Sequence, residues 1–438
     1  MGAQSAQWIA TARLVRRTGF GATGTAVDAA LKMGSAAYVR MILAADPAAD
    51  AGAKASPAPS FATIAPLAKG ASRADRHKHQ EQIRAQVTAL ASWWVRRMVE
   101  VQQPFGEKLT FCWHDHFATA ATKVRDAGWL LDQNESLRRL GRGNFRTLAL
   151  TMLTDAAMLR WLDGEKNTAK APNENLAREF MELFALGHGD GYTETDVREG
   201  ARALTGWKIR PDGTTYLNAA QHDNTTKTFL GVTGNLDVTG YCDAVLARPA
   251  SARYVATRWW GRLVSDTPPS AAAVTAVADS YGVQCDLSKM FSTMLTRPEF
   301  SAAEGTLVLD PVEWLIGAVR TLRVPVRDDT AAKKLLGVLR MLGQIPFYPP
   351  NVSGWPSGQA WLSTAAADAR MQAALALARA GDLSAVSKAS TAHRLDALGY
   401  LLGVGSWSAR TTAVLHGAIG DPQHLVAIAL NTPEYLVH

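Results

Sequence analysis

Two histidines lie two positions apart in the stretch FCWHDHFATAATK, residues 111–123, with an aspartate between them. Imidazole and carboxylate groups bind metals and transfer protons, so His114, Asp115 and His116 could form part of such a site. In extended chain the two imidazoles project together and could share one ion, whereas inside an α-helix they point about 160° apart and could not. Packed, hydrogen-bonded histidines without a chemical role are the other interpretation, and both stay open.

A second polar pattern occurs in NENLAREFMELFALG, residues 173–187. Projected on a helix, Asn175, Arg178, Glu179 and Glu182 form one narrow polar stripe, and apolar residues cover most of the remainder. The two carboxylates could bind a metal, or act as an acid and a base with separated pKa values. Arg178 could equally neutralise both carboxylates as a structural ion pair.

Two further segments offer groups for a site. QHDNTTKTFLG contains His222, Asp223 and Lys227 beside a predicted β-hairpin, which we expect to cover a pocket as a lid. FYPPNVSGWPSGQAWL contains Trp355 among prolines, in a loop whose aromatic rings could stack on a ligand or anchor the loop to the core.

Several familiar motifs are absent or out of context. GFGATG matches G-x-G-x-x-G at Gly19, Gly21 and Gly24, but it follows a helix-like segment instead of a strand, so it predicts a turn and no nucleotide cofactor. The sequence contains no G-x-S-x-G, H-E-x-x-H or P-loop motif, which argues against those catalytic classes.

Charge and cysteine content limit the partners and the compartment. The net charge is +7, but the basic residues are spread thinly, which argues against a nucleic-acid partner and leaves a small molecule, a polymer or a protein. The three cysteines lie far apart and suit a reducing compartment. Arg16 and Arg17 are not followed by an apolar segment, and no apolar run approaches the ~18 residues of a membrane span, so we expect a cytoplasmic location.

Helical periodicity dominates the chain and predicts a mainly α, large multi-helix, bundle-like fold. Residues 1–44 read as an N-terminal helical segment and residues 45–75 as an Ala/Pro-rich linker or arm. Residues 76–438 read as a helical body with one small β-hairpin near 207–230, because GWKIRPDGTTYLNA places β-prone runs on both sides of a Pro-Asp-Gly turn.

These blocks, in this order and over nearly the whole chain, resemble the bacterial family catalogued as domain of unknown function 1800. The resemblance is most specific in the WHDHF and NEN-x-x-RE-x-x-EL blocks. The matching positions are Trp113, His114, Asp115, His116, Phe117, Asn173, Glu174, Asn175, Arg178, Glu179 and Glu182. The resemblance implies a mostly helical protein and little about activity, and many relatives carry export signals. Cys112 stands where relatives commonly have an aromatic residue, which argues against an essential cysteine ligand.

Together the residues and the resemblance predict a pocket between the WHDHF segment and the NENLAREFMEL helix. The expected ligands of a divalent metal ion are His114, His116 and Glu179. The expected catalytic residues are Asp115, Glu174, Arg178, Glu182 and His222. The expected substrate contacts are Trp113, Asn173, Asn175, Asp223, Lys227 and Trp355.

Three functions are compatible with this pocket. The first is a metal-dependent enzyme, either an oxidoreductase or a hydrolase. The second is a non-catalytic binding or assembly protein in which the same residues form a buried polar network. The third is a metal-free, carbohydrate-active enzyme that uses paired carboxylates.

Overall fold

The computed structural model describes residues 4–189, 191–302 and 307–438. The described chain is mainly α-helical, which confirms the predicted fold class. The helices before the β-strands are α1 (Ala6–Arg17), α2 (Gly24–Met33), α3 (Ser35–Ala44), α4 (Ala51–Ala55), α5 (Arg73–Glu100), α6 (Phe105–His116), α7 (Ala121–Val124), α8 (Ala127–Leu140), α9 (Phe145–Leu153), α10 (Ala156–Trp161), α11 (Asn175–Glu179) and α12 (Glu194–Ala203). A π-helix, Phe180–Ala185, continues directly from α11.

The C-terminal half is again helical. Its helices are α13 (Val238–Leu246), α14 (Pro249–Leu263), α15 (Ala271–Tyr281), α16 (Leu287–Thr296), α17 (Pro298–Ala302), α18 (Pro311–Thr321), α19 (Asp329–Leu342), α20 (Thr364–Ala380), α21 (Ser384–Ser387), α22 (Arg394–Leu402), α23 (Ala409–Gly417), α24 (Pro422–Ala429) and α25 (Pro433–Leu436). Among the described residues no helix is both long enough and apolar enough to cross a membrane.

The β-structure consists of two separate antiparallel hairpins in the described chain, where the sequence predicted one. Strands β1 (Trp207–Ile209) and β2 (Thr215–Leu217) flank the predicted Pro-Asp-Gly turn. Strands β3 (Lys227–Phe229) and β4 (Val232–Gly234) form the second hairpin, closed by Leu230 and Gly231, both of which have positive φ. The second hairpin begins inside the predicted region 207–230 and ends beyond it at Gly234, and it was not predicted as a separate hairpin because Leu230 is a poor turn residue by type.

Capping explains where many of the helices begin. Ser72 and Asp75 form a capping box at the start of α5, and Thr193 and Asp196 form another at the start of α12. The six-residue GFGATG motif lies between α1 and α2, both of which are helices, so the interpretation of this motif as a turn agrees with its context.

Helix α6 lies between the two large hydrophobic clusters. Phe111 belongs to the cluster built around α5, α18 and α20, while Trp113 and Phe117 belong to the cluster built around α9, the π-helix and α14. Every residue of α6 is therefore buried, including three that carry charge.

Each charge on α6 has a partner from another element. Glu107 accepts hydrogen bonds from Arg97 of α5 at 2.6 Å and from Arg138 of α8 at 2.7 Å. Lys108 donates to Glu313 of α18. Burial alone would raise the pKa of Glu107, but the guanidinium groups, that of Arg138 first, lower this pKa to about 2. Glu107 is therefore ionised at all ordinary pH values.

We expect Glu107→Gln to destabilise the fold by about 3–5 kcal/mol, because it leaves the buried guanidinium of Arg97 without a negative partner and that of Arg138 with only the more exposed Glu135. Urea unfolding of the full chain measures this loss. The matched control is Glu135→Gln, since Glu135 also pairs with Arg138 but has a side chain that is 43% exposed, and its loss should cost at most about 1 kcal/mol. Equal effects of the two substitutions would contradict the role assigned to Glu107.

Candidate functional site

The WHDHF block forms the C-terminal turn of α6, which settles the geometry that the sequence left open. His114 and His116 lie inside one α-helix and project to different sides. His114 contacts the loop that contains Phe347, and His116 contacts the π-helix. Two imidazoles in this arrangement cannot bind the same ion.

His114 accepts a hydrogen bond. Its Nε2 atom lies 3.1 Å from the backbone nitrogen of Phe347, which donates, so the ring proton is on Nδ1. The rings of Trp94, Phe347 and Trp355 surround the imidazole, with ring centroids 5.2 to 5.5 Å from the centroid of the imidazole. Burial lowers the pKa of His114 to about 3, so the side chain is neutral at physiological pH.

His116 is a hydrogen-bond donor. Its Nε2 atom lies 2.9 Å from the carbonyl oxygen of Phe184, and a carbonyl can only accept. Burial first, and the positive charge of Arg258 second, lower the pKa of His116 to about 3. This bond joins the WHDHF block to the NENLAREFMEL segment, the two segments between which the sequence predicts a pocket.

Asp115 is bound to two other segments. Its carboxylate accepts the backbone N–H of Trp355 at 2.7 Å and forms an ion pair with Arg262 of α14. Gly354 makes this approach possible, because it has a φ of +86° and a Cβ atom at this position would lie 2.3 Å from Oδ1 of Asp115.

The two tryptophans expected at the substrate are also buried. The Trp113 indole donates from Nε1 to the carbonyl of Gly141 at 2.7 Å. Trp355 stacks on Phe111 with a centroid separation of 5.7 Å. Both rings therefore pack as core side chains in this structure.

The polar stripe of the NENLAREFMEL segment lies near the protein surface, whereas the WHDHF block lies in the interior. The NEN turn is ordered by its own side chains, since Asn173 accepts the N–H of Asn175 at 3.0 Å and Asn175 donates to the carbonyl of Leu162 at 3.3 Å. Helix α11 then passes into the π-helix at Phe180. π-helical turns are rare in proteins, and those that occur are often found at functional sites.

Arg178 is the centre of an ion-pair network on this stripe. It donates to both carboxylate oxygens of Glu194, at 2.8 and 2.7 Å, and to Glu174 at 3.0 Å. Its guanidinium lies 3.6 Å from Glu182. Glu182 in turn lies 3.3 Å from Nδ1 of the exposed His188.

Glu179 differs from its neighbours. Its side chain is half-buried, and it forms no hydrogen bond or ion pair of normal length with a described residue. Burial first, and repulsion by Glu182 second, raise the pKa of Glu179 above its ordinary value, although His188 and Arg178 oppose the shift. Glu179 and Glu182 thus have unlike electrostatic surroundings on one helical segment.

The predicted lid residues, His222, Asp223 and Lys227, form hydrogen bonds and ion pairs with nearby parts of the chain. His222 donates from Nδ1 to the carbonyl oxygen of Thr205 at 2.9 Å. Asp223 accepts from Arg202 at 2.7 Å, and the buried Lys227 donates to backbone carbonyls of residues 223 and 225. The first hairpin instead approaches Trp129, because a Cβ atom on Gly213 would lie 2.6 Å from that indole.

The structure brings only part of the predicted set together. Glu174, Arg178, Glu179 and Glu182 form one half-exposed group, hereafter the acidic cluster, which also includes Glu194 and His188. The side chains of His114, Asp115 and His116 bind other partners in the interior. Over residues 4–189, 191–302 and 307–438, no group of three or more His, Cys, Asp or Glu side chains could hold a metal ion.

Three contributors were absent from the predicted set. These are Glu194, His188 and Arg262, and nothing in the sequence pairs Glu194 with Arg178, sixteen positions earlier. Arg262 follows a Trp-Trp-Gly segment and gives no signal of its pairing with Asp115, because the two lie 147 positions apart.

We expect the buried histidines to destabilise the fold as the pH falls. The pKa of His114 is about 3 in the folded state and about 6.5 in the unfolded state, so below pH 6.5 the unfolded state binds a proton that the folded state does not. The contribution of His114 to the free energy of unfolding is therefore complete above about pH 6.5 and falls by about 1.4 kcal/mol per pH unit below it. His114→Gln, which can still accept the Phe347 N–H, should reduce the slope of unfolding free energy between pH 6.5 and 5 by about that amount. His77→Gln, at an exposed histidine, is the control, and an unchanged slope in His114→Gln would contradict the expectation.

The comparisons with known proteins identify a family and no individual relative. Neither the curated proteins nor the solved structures provide a match to this chain. The family model described as "Protein of unknown function (DUF1800)" matches residues 13–437, which include the WHDHF block, the acidic cluster, both hairpins and the Trp355 loop. The chain therefore belongs to the DUF1800 family.

Proposed function

We propose that this chain is an acid–base enzyme, a hydrolase by class, whose reacting groups are Glu179 and Glu182 of the acidic cluster. The observation that carries the proposal is the unlike pair itself. Glu179 is half-buried without a described partner, while Glu182, three residues later, is fixed by Arg178 and His188. Two carboxyl groups in different environments are the usual way in which an enzyme obtains an acid and a base from one residue type.

The surroundings assign the two roles. The raised pKa of Glu179 favours a carboxyl that keeps its proton to higher pH and can donate it to a leaving group. Glu182, which Arg178 and His188 hold in place, is the carboxylate that would activate water or attack the substrate. The proton that Glu179 donates would be regained from the attacking water, so the cycle needs no redox partner.

The charge of the acidic cluster restricts the substrate. Four carboxylates, those of Glu174, Glu179, Glu182 and Glu194, surround the single guanidinium of Arg178. An anionic substrate would be repelled, so we propose a neutral or cationic substrate. Because the Trp355 ring packs inside the protein, stacking of a sugar on this residue is not part of the proposal.

The WHDHF block has a positioning role in this proposal. His116 binds the carbonyl of Phe184, two residues beyond Glu182, and so holds the π-helix on α6. The NEN turn holds the start of α11 in the same way, through Asn173 and Asn175. A rigid segment with two carboxyl groups is what acid–base chemistry requires.

A metal-dependent enzyme is the second candidate for the same cluster. The 3.3 Å approach of Glu182 to the His188 imidazole favours it, because these two groups are common ligands of zinc and other divalent ions. If this candidate is right, Glu182 and His188 would coordinate the metal ion, and the histidines of the WHDHF block would not coordinate it. Chelation distinguishes the two candidates, since only the metal enzyme loses activity in EDTA and regains it with added Zn²⁺ or Mn²⁺.

Titration tests the electrostatic basis of the proposal. In ¹³C NMR of protein labelled at the glutamate carboxyl carbon, one resonance should titrate above the model value of about 4.3 and disappear in Glu179→Gln. In Glu182→Gln the same resonance should titrate at lower pH, because the repelling charge is gone. A Glu179 resonance that titrates with the exposed Glu81 would contradict the assignment.

Hydrolysis of a substrate panel tests the function itself. We expect the full chain to cleave a neutral chromogenic substrate among p-nitrophenyl glycosides, esters and amides, and Glu179→Gln or Glu182→Gln to lower kcat by about 10²–10⁴ with unchanged melting temperature. Glu165→Gln, at a half-buried glutamate paired with Arg160, is the matched control. Activity that survives Glu179→Gln would contradict the proposal, and a loss of several kcal/mol of stability would instead favour a structural ion-pair network.

A further inference from the structure

A separate cleft opens between the start of α14 and the turn that joins α15 to α16. Its volume of about 710 Å³ falls within the range of small-molecule sites, roughly 300–1,000 Å³. Three arginines line it, Arg146, Arg248 and Arg253, together with apolar side chains such as those of Leu246 and Val283. None of these residues was selected from the sequence.

The three guanidinium groups are held to different degrees by described residues. Arg146 is occupied, because it donates to both oxygens of Asp243. Arg253 is exposed and pairs with no carboxylate among the described residues. The Arg248 side chain makes a long contact, 3.4 Å, to the carbonyl of Gly191, and its charge also acts on the carboxylate of Asp196. With Asp279 as the other acid of the lining, the cleft keeps a net positive charge.

The N-terminus of α14 lies at the same place. This 15-residue helix begins with Arg248 at its N-cap, and no side chain caps its first N–H groups. Pro249 at the first helical position has no N–H, and the N–H of Ser251 donates to the carbonyl of Arg248, so the N–H of Ala250 and the positive end of the helix dipole are what attract an anion. An arginine at the N-cap, where Ser, Thr, Asp or Asn is usual, strengthens this attraction.

An unsatisfied polar group at the floor of the cleft points independently to a ligand. Tyr281 lines the cleft and is 2% exposed, yet the described partner nearest in kind to its hydroxyl is the thiol of Cys285, which hydrogen-bonds only weakly, and the hydroxyl forms no hydrogen bond of normal geometry with a described residue. Buried hydroxyl groups normally have a partner. Cys285 also has a φ of +50°, which is a strained conformation for a residue other than glycine and fixes this wall.

We propose that this cleft binds a small organic phosphate. The phosphate group lies at the N-terminus of α14 between Arg248 and Arg253, and the organic part packs on Leu246 and Val283. Two guanidinium groups and a helix N-terminus match a dianionic phosphate better than a carboxylate, because they offer more donors than two oxygens can accept. The proposal does not depend on the acid–base function.

Isothermal titration of the full chain at fixed ionic strength tests the site, with phenyl phosphate as the probe. We expect phenyl phosphate to bind, inorganic phosphate to compete with it, and phenol not to compete. Arg253→Gln and Arg248→Gln should each weaken binding by about tenfold or more. Arg410→Gln is the matched control, since Arg410 is also an exposed arginine near the start of a helix. Tyr281→Phe should weaken binding a few-fold without lowering the melting temperature.

Four results would overturn the proposal. These are no binding of phenyl phosphate, equal affinity for benzoate, equal affinity in Arg253→Gln, and Arg253-dependent binding to vesicles containing phosphatidic acid without binding of phenyl phosphate. The last result would assign the phosphate to a lipid headgroup, and vesicles of phosphatidylcholine alone are its control.

Discussion

The structure depends on compensation of the charges buried in helix α6. Glu107, Lys108 and Asp115 all lie in the interior, and a buried charge without a partner costs several kcal/mol. Their partners come from four other helices: Arg97 of α5, Arg138 of α8, Glu313 of α18 and Arg262 of α14. Because α6 also lies between the two large hydrophobic clusters, these ion pairs connect α6 to helices that contribute to both clusters. The ion pairs therefore specify one arrangement of the helices, beyond any net contribution to stability.

The same constraint explains why the WHDHF residues bind backbone groups. A helix buried on every side leaves few polar atoms near its C-terminal turn, so His114, Asp115 and His116 bind the N–H of Phe347, the N–H of Trp355 and the carbonyl of Phe184. These bonds hold two irregular segments, the proline-rich loop and the π-helix, whose backbone groups are not all satisfied by regular helix bonds. Neutral imidazoles suit this use because a charged ring would be strongly destabilised there.

Local chemistry in the sequence predicted much of the fold and part of the acidic cluster. The Thr193–Asp196 capping box, the Pro-Asp-Gly turn and the stripe of Arg178, Glu179 and Glu182 depend on neighbours within a few positions, and periodicity reveals such relations. The π-helix changes the projection after Phe180, and no residue type marks it. The pairing of Asp115 with Arg262 joins positions 147 apart, which one sequence without homologues cannot reveal.

The acidic cluster lies near the surface, and the charges buried in the interior explain why. Interior polar groups on α6 are all neutral or paired, so a group that must change its protonation state cannot lie there without destabilising the fold. Glu179 is less buried than the residues of α6. Its carboxyl group is buried enough for its pKa to rise and is close enough to solvent to exchange a proton. The loop beyond Glu182 contacts both regions, since Gly187 packs on Tyr254 of α14 and the carbonyl of Gly191 accepts from Arg248 at the arginine-lined cleft.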